Sequence, residues 1–413
     1  MHFEGVKRTP QEALRYENIL ERIKALATEH GFSSVFTPLT LPPNSQESIF
    51  EGADMHAVFP GTLLASGMER AVRSDMSVSM LELYAEAGLG RHGQPQKLFQ
   101  VGTTIREEDG AIREDVELAY AIIGGPNDPL FDAQAIVFAV RAAEVAKLKV
   151  DPVKVNSIGC RVCRPLFVRQ LLAYYRSKED QLCASCRNSL KTNPLYLLSC
   201  SEQKCVSLRE DAPSFLNKLC SQCTGHLQAV LEYLDELKVP YAVSSDCILP
   251  DRMFGNRTIF EIRIAGDKGS RIAFGGRADY VIESLSGKGT LAVTGTVRLE
   301  PLLGGDISFD AGVRGANTPL FVAHAGELAK KKALSLLENL RREGFRTGEA
   351  LSRDSLRLQL KAAERDNALL ALIVGQREVY DETVILRDIR GGMQETIPTA
   401  RLSEEIKRRL KQK

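Results

Sequence analysis

The sequence predicts an α+β fold that ends in a separate α/β domain, on three observations. Residues 10–30 space their apolar side chains three and four apart, as an amphipathic helix does. Residues 98–106 and 117–124 read as two strands around the polar turn Glu107–Gly110, a hairpin. The last hundred residues alternate between helix-like and strand-like segments.

In chain order, the first helix stops at Gly31, and Ser34 to Thr37 form a short strand ending at Pro38. After the hairpin, 132–147 and 224–237 read as helices, with strands near 241–244, 258–264 and 291–297. Gly304–Asn317 is glycine-rich and aperiodic, a linker. Beyond it come strand 320–323, helices 326–343 and 354–366, strands 369–374 and 383–387, and helix 401–411.

The 413 residues suffice for two or three domains, and 44% hydrophobic with 26% charged residues is a globular balance. No apolar run reaches the ~18 residues of a spanning helix. The amino terminus MHFEGVKRTPQEAL carries no apolar signal-peptide core, so the expected compartment is the cytoplasm and no membrane partner is expected. Net charge is +1, but unevenly spread: residues 316–413 carry 19 basic against 14 acidic residues, and the remainder is net −4. A basic end domain fits either a polyanion partner or an ordinary solvated surface.

Eight of the nine cysteines lie between 160 and 223, as Cys160-x2-Cys163, Cys183-x2-Cys186, Cys200-x4-Cys205 and Cys220-x2-Cys223; Cys247 stands alone. Disulfides are not expected in a cytoplasmic chain of this size. A CxxC turn brings two thiolates together, and two such turns enclose a tetrahedral zinc ion without leaving an open position. Cys160 to Cys186 has the spacing of one such site, and Cys200 to Cys223 makes a second. Spacing does not fix the pairing, so adjacent and interleaved partners both stand. His226, three residues after Cys223, is an alternative ligand.

Several motifs share one order. They are HGFSSVFTP (30–38), FQVGTTIREE (99–108), NSIGCRVCRP (156–165), NRTIFEI (256–262), FGGRADYVIE (274–283) and AVTGTVRLEPLL (292–303). The stretches GELAKKKALSLLENLRREGF and SLRLQLKAAERDNALLALIVGQREV follow. In this order they resemble the class II histidyl-tRNA synthetases from end to end. The resemblance implies an antiparallel six-stranded catalytic sheet with helices, interrupted by a cysteine-rich zinc insert and followed by an α/β anticodon-binding domain. Its divisions are 1–159 and 226–303 for the catalytic-like core, 160–225 for the insert, 304–317 for the linker and 318–413 for the anticodon-binding-like domain. It also implies a homodimer, with Pro38 at the dimer motif, a histidine tRNA as partner, and ATP with magnesium as co-substrates if the chain is active.

Residue by residue, the resemblance is incomplete. Arg106 matches the α-phosphate arginine and Glu108 the acid on the adenine side. The following loop, EDGAIRED, is acidic and reads as shorter than the family's. The family's Arg-Gly-Leu-Asp-Tyr-Tyr aligns with Pro250 to Gly255, so a catalytic arginine has become Pro250, and Arg252 is the substitute two residues away. Arg-Tyr-Asp has become Arg277-Ala278-Asp279, and Gly-Leu-Glu-Arg has become Arg298-Leu299-Glu300-Pro301. In the amino-acid pocket, Asp75 and Ser77 are short analogues, while the family's Gln and Glu align with Glu117 and Ala121. The pocket remnants are therefore Glu108, Asp75, Ser77, Glu117, Arg277 and Glu300, and the lost positions are Pro250, Ala121, Ala278 and Pro301.

Histidine activation needs arginines aimed at the charge growing on the α-phosphate, and losing one such donor costs on the order of 10²–10³-fold. The expectation is a tRNA-binding paralogue with a degenerate histidine/ATP site, acting as a homodimer or paired with an active synthetase. Lys330, Lys331, Arg357 and Lys361 of the basic end domain are the tRNA-binding candidates. An active histidine–tRNA ligase with a remodelled site, and a histidine-sensing regulatory protein, are the alternatives.

Overall fold

The computed structural model describes residues 2–4, 7–41, 62–65, 68–72, 75–108, 111–192, 194–249, 255–266, 271–303 and 320–411. The expected linker at 304–317 lies outside them. The chain forms two compact units. One comprises residues 1–23, 32–231 and 240–307, the other 24–31, 232–239 and 308–413.

The first unit holds strands β1 (His2–Glu4), β2 (Ser33–Ser34), β3 (Thr40–Leu41), β4 (Thr62–Ala65), β5 (Met68–Val72), β6 (Gln96–Glu108), β7 (Ala111–Ile123), β8 (Val153–Ser157), β9 (Tyr241–Val243), β10 (Asn256–Arg263), β11 (Arg271–Arg277) and β12 (Ala292–Arg298). Its helices are α1 (Pro10–Glu29), α2 (Met76–Glu86), α3 (Leu130–Val145), α4 (Arg164–Arg176), α5 (Ala184–Thr192), α6 (Gln203–Glu210), α7 (Ser221–Glu236), α8 (Asp279–Ser286) and α9 (Leu299–Leu302); the ends of α1 and α7 fall in the second unit.

Six neighbouring strands, β6-β7-β12-β11-β10-β8, pair antiparallel throughout. Parallel edge strands extend them to nine: β2 on β6, β9 on β8 and β1 on β7. The β6–β7 hairpin is longer than its pattern suggests. Pairing continues to Glu108↔Ala111, so most of the expected acidic loop is strand. The strand expected at 34–37 is reduced to Ser33–Ser34, and Phe36 is 84% exposed.

Strand alternation gives the sheet two different faces. On one, Tyr120 of β7 packs against Phe138 of α3 and donates its hydroxyl to the Ala135 carbonyl at 2.7 Å. On the other, Leu98, Ala119, Ala121 and Ile123 form an apolar cluster with Met76, Val78 and Met80 of α2 and Val281 of α8. The glycines between the faces are spacers: a Cβ on Gly295 would meet the Tyr120 ring at 2.2 Å.

The second unit has strands β13 (Leu320–Ala325), β14 (Thr347–Glu349), β15 (Leu370–Gly375), β16 (Thr383–Asp388) and β17 (Gln394–Pro398), in the order β14-β13-β15-β16-β17. Its helices are α10 (Glu327–Arg342), α11 (Leu356–Arg365), α12 (Gln376–Tyr380) and α13 (Leu402–Lys411). Phe321, Ala323, Ala371 and Ile373 build its interior, and His324 is a core residue there, with ring nitrogens 3.2 and 3.0 Å from the Gly326 and Leu351 carbonyls. No helix among the described residues is long and apolar enough to cross a membrane.

Candidate functional site

Pairing across β7 and β12 sets Glu117 opposite Arg298, Ala119 opposite Thr296 and Ala121 opposite Thr294, all on the α2 side of the sheet. Glu117 is fully buried there. The Arg298 Nη2 donates to Asp115 Oδ2 at 2.6 Å, two residues before Glu117 and hence on the same face. Just beyond β12, Arg8 is ion-paired with Glu300, and its guanidinium also lies 4.1 Å over the Tyr16 ring. Burial pushes the Glu300 carboxyl above the usual range, with Arg8 opposing it and Asp115 adding to it. Pro301 follows within α9 and supplies neither charge nor donor.

Ala121 and Ala278 belong to one apolar cluster with Met76, Val78, Met80 and Tyr84. Both are essentially without solvent contact. Ala121 stands where the resemblance puts a glutamate and Ala278 where it puts a tyrosine. Methyl groups and the methionines of α2 therefore meet on a face that Glu117, Thr294 and Thr296 also share.

Arg277, expected among the pocket remnants, lies on the opposite face of the sheet from Glu117 and Ala121. Strand alternation sets it with Gly275 and Ala273, on the α3 side. There its Nη1 donates to Asp132 Oδ2 at 2.7 Å and its Nε to Asp279 Oδ2 at 3.1 Å. Asp132 also faces His226 Nε2 at 3.1 Å. Burial pushes the Asp132 carboxyl up, but Arg277, His226 and the Thr258 hydroxyl outweigh it and hold it at about 2.

Asp75 caps α2, its Oδ1 accepting the Ser77 amide at 2.6 Å, and Ser77 is buried in the first turn. One oxygen of the expected amino-group analogue is thereby engaged by backbone. Arg106 pairs with Arg113 and Glu108 with Ala111 in the hairpin register. Pro250 and Arg252 lie outside the described residues.

The eight cysteines form two clusters, and their pairing is nested. Cys160, Cys163, Cys220 and Cys223 make one group, and Cys183, Cys186, Cys200 and Cys205 the other. The grouping of Cys160 to Cys186 as one site is thus overturned: the first and last CxxC turns meet, and the two middle pairs meet inside the insert. Within each cluster all four sulfurs lie within 4.8 Å of one another, a donor set that can hold a metal ion. His226 belongs to neither, because its ring is turned to Asp132.

In the second unit Arg357 and Lys361 are exposed on α11. Lys330 is 4% exposed, so its expected role at a surface is corrected; apolar neighbours Ala329, Ala333 and Leu334 accompany it in α10. Lys331 is ion-paired with Glu232. Sequence reasoning missed Asp115 and Arg8. The alternation Asp115–Glu117 in β7 carried the signal for the first; Arg8, 292 positions from Glu300, left none.

Comparison with known proteins agrees with this layout. A family model described as histidyl-tRNA synthetase matches residues 6–302, and one described as anticodon binding domain matches residues 320–409. A histidine–tRNA ligase of Desulforudis audaxviator is 30% identical over 97% of this chain and 96% of its own length. One of Natranaerobius thermophilus is 28% identical over 96% of both. Among solved structures, apo histidyl-tRNA synthetase of S. aureus superposes with a TM-score of 0.58 at 21% identity, covering 97% of each chain.

Proposed function

Because this chain belongs to the histidyl-tRNA synthetase family, we propose that it is a tRNA-binding member whose histidine/ATP site no longer activates histidine. The observation that carries this reading is the apolar cluster holding Ala121 and Ala278. Methyl groups at these two positions take away two partners that the resemblance gives the imidazole, although Glu117, Thr294 and Thr296 share the face. The ion pairs Arg298–Asp115 and Arg8–Glu300 add to it, since cations already neutralised by carboxylates offer little to a triphosphate.

The match of residues 320–409 to an anticodon-binding domain supports a tRNA partner, and the family supports the histidine tRNA. Four soft thiolates per cluster suit structural zinc, one ion in each. ATP and magnesium enter only if the site is active. Exposed Phe36 and Leu39 around Pro38 support pairing through this edge, with a second copy or with an active synthetase. The compartment proposed is the cytoplasm.

A second reading, an active ligase with a remodelled site, is favoured by the end-to-end similarity to proteins named histidine–tRNA ligase. Histidine-dependent ATP–pyrophosphate exchange on metal-replete protein separates the two. Background exchange together with retained binding of histidine tRNA is expected. Exchange near that of an active synthetase sinks the degenerate-site reading, and histidine binding without tRNA binding points to a histidine sensor.

A further inference from the structure

The two cysteine clusters differ in what surrounds them. Around the second, hydrogen bonds close on the insert: Cys205 Sγ accepts the Cys183 amide, and Arg209 donates to the carbonyls of Leu198 and Cys200.

The first cluster has two exits. On one side, Cys163 is followed directly by Arg164, the first residue of α4. The Arg164 guanidinium turns back to backbone, its Nε donating to the Ile158 carbonyl at 2.9 Å and its Nη2 to the Gly255 carbonyl. On the other side, Cys223 lies in the first turn of α7, and His226 is one turn further on. From His226 a buried chain runs to Asp132 at 3.1 Å, to Arg277 at 2.7 Å, to Asp279 at 3.1 Å and to Asn256 Nδ2 at 2.7 Å.

Both routes end on consecutive residues, Gly255 and Asn256, where β10 begins. The next residue, Arg257, has φ of 51°, a left-handed conformation that costs a non-glycine residue on the order of 1–3 kcal/mol unless its surroundings impose it. Two backbone bonds impose it: the Arg257 amide donates to the Gly159 carbonyl and the Ile158 amide to the Arg257 carbonyl, each at 2.8 Å. Gly159 and Ile158 directly precede Cys160.

We propose that a metal ion in the Cys160–Cys163–Cys220–Cys223 cluster positions the start of β10 through hydrogen bonds, with Arg164 as the positioning residue, while the second cluster, whose Cys183, Cys186 and Cys205 share an apolar cluster with Ile158 and Ile259, reaches this segment by packing only. The proposal rests on metal occupancy of the clusters. It makes the first site a hydrogen-bonded fixing point for the start of β10, whereas the second stabilises the insert and the apolar layer it shares with the sheet.

The test is amide hydrogen exchange at Ile158 and Arg257 in the full chain, with metal content measured in parallel. Arg164→Met removes no ligand. It should keep both metals while these two amides exchange faster by about tenfold or more, and Arg164→Lys should recover part of the protection. Cys163→Ser should lose one metal and speed the same amides. Cys183→Ser should lose one metal and, because Cys183 only shares an apolar cluster with Ile158, speed these amides clearly less than Cys163→Ser does. Unchanged exchange in Arg164→Met with both metals bound, or equal acceleration in Cys183→Ser, overturns the proposal. Parent protein purified without metal, and taking up none when zinc is supplied, overturns the occupancy reading itself.

Discussion

Arg298 Nη2 and Asp115 Oδ2 stand 2.6 Å apart across the β7–β12 ladder, with side-chain exposures of 18% and 9%. The pair fills the sheet face at the position where the family resemblance puts a glycine. A guanidinium so placed is both a steric and an electrostatic occupant, because a phosphate approaching it also approaches the carboxylate.

Breaking this pair should cost stability unevenly. Arg298→Met removes the cation that faces the nearly buried Asp115, and the loss expected is about 1–2 kcal/mol, below that of a fully buried pair because Arg298 retains some solvent. Adding Asp115→Asn removes the carboxylate that faced Arg298 and should restore part of the loss. Urea unfolding of both single variants and the double one gives the coupling energy. A coupling near zero would mean that solvent already screens the pair.

The opposite face carries the acid sensitivity. Asp132 is held at about 2, below its ordinary value of 3.8, by Arg277, His226 and Thr258 acting against burial. A depressed folded pKa gives stability that is fully present above the unfolded value and lost as pH falls through the folded one. The contribution is therefore complete above pH ~4 and fades toward pH ~2, for about 2 kcal/mol in all. Asp132→Asn should unfold more easily than the parent at pH 5, and about two thirds of that contribution should be gone from the gap at pH 2.5, still above the folded pKa. A gap independent of pH would assign the carboxylate's role to shape and not to charge.

What was legible in the sequence follows from how each signal arises. The helices α7 and α10 appeared at nearly their observed bounds because their residues alternate between buried and exposed positions, whereas α3 and the strands β12, β13 and β15 are buried almost throughout and were legible as apolar runs of the right length. Helix α2 was illegible, because Met76-Ser77-Val78-Ser79-Met80 alternates apolar and polar residues and so lacks a helical period, although all five are buried. The nested cysteine pairing was illegible because each CxxC turn looks alike whichever turn it meets. Arg277 shows the converse. Motif order placed it with the pocket, yet a period of two from Gly276 already sent it to the other face.

The glycines of that sheet make a sharper test. Gly295→Ala would put a methyl 2.2 Å from the Tyr120 ring. That ring cannot retreat, since its hydroxyl is tied to the Ala135 carbonyl and Phe138 lies against it at 4.6 Å between centroids. A loss of about 3 kcal/mol is expected. Gly289→Ala, with open space at its Cβ, should change stability by less than about 0.5 kcal/mol. Equal effects at the two sites in thermal unfolding would show that the β7–β12 contact yields more readily than its geometry implies.

Binding of tRNA should separate the basic residues of the second unit by their present occupation. Arg357 and Lys361 are exposed one turn apart on α11, so both can reach one phosphate run. Each phosphate contact contributes about 0.9 to the slope of log K against log salt for duplex and about 0.7 for single strands. The double variant Arg357→Gln/Lys361→Gln should lower that slope by about 1.5 and weaken histidine tRNA and unrelated tRNAs alike. Lys331→Gln should lower it less, because its ammonium is already paired with Glu232. Lys330→Gln should reduce thermal stability, since Lys330 is almost wholly buried. Fluorescence anisotropy from 50 to about 300 mM salt reads the slopes directly. An unchanged slope in the α11 variant would move the tRNA surface off this helix.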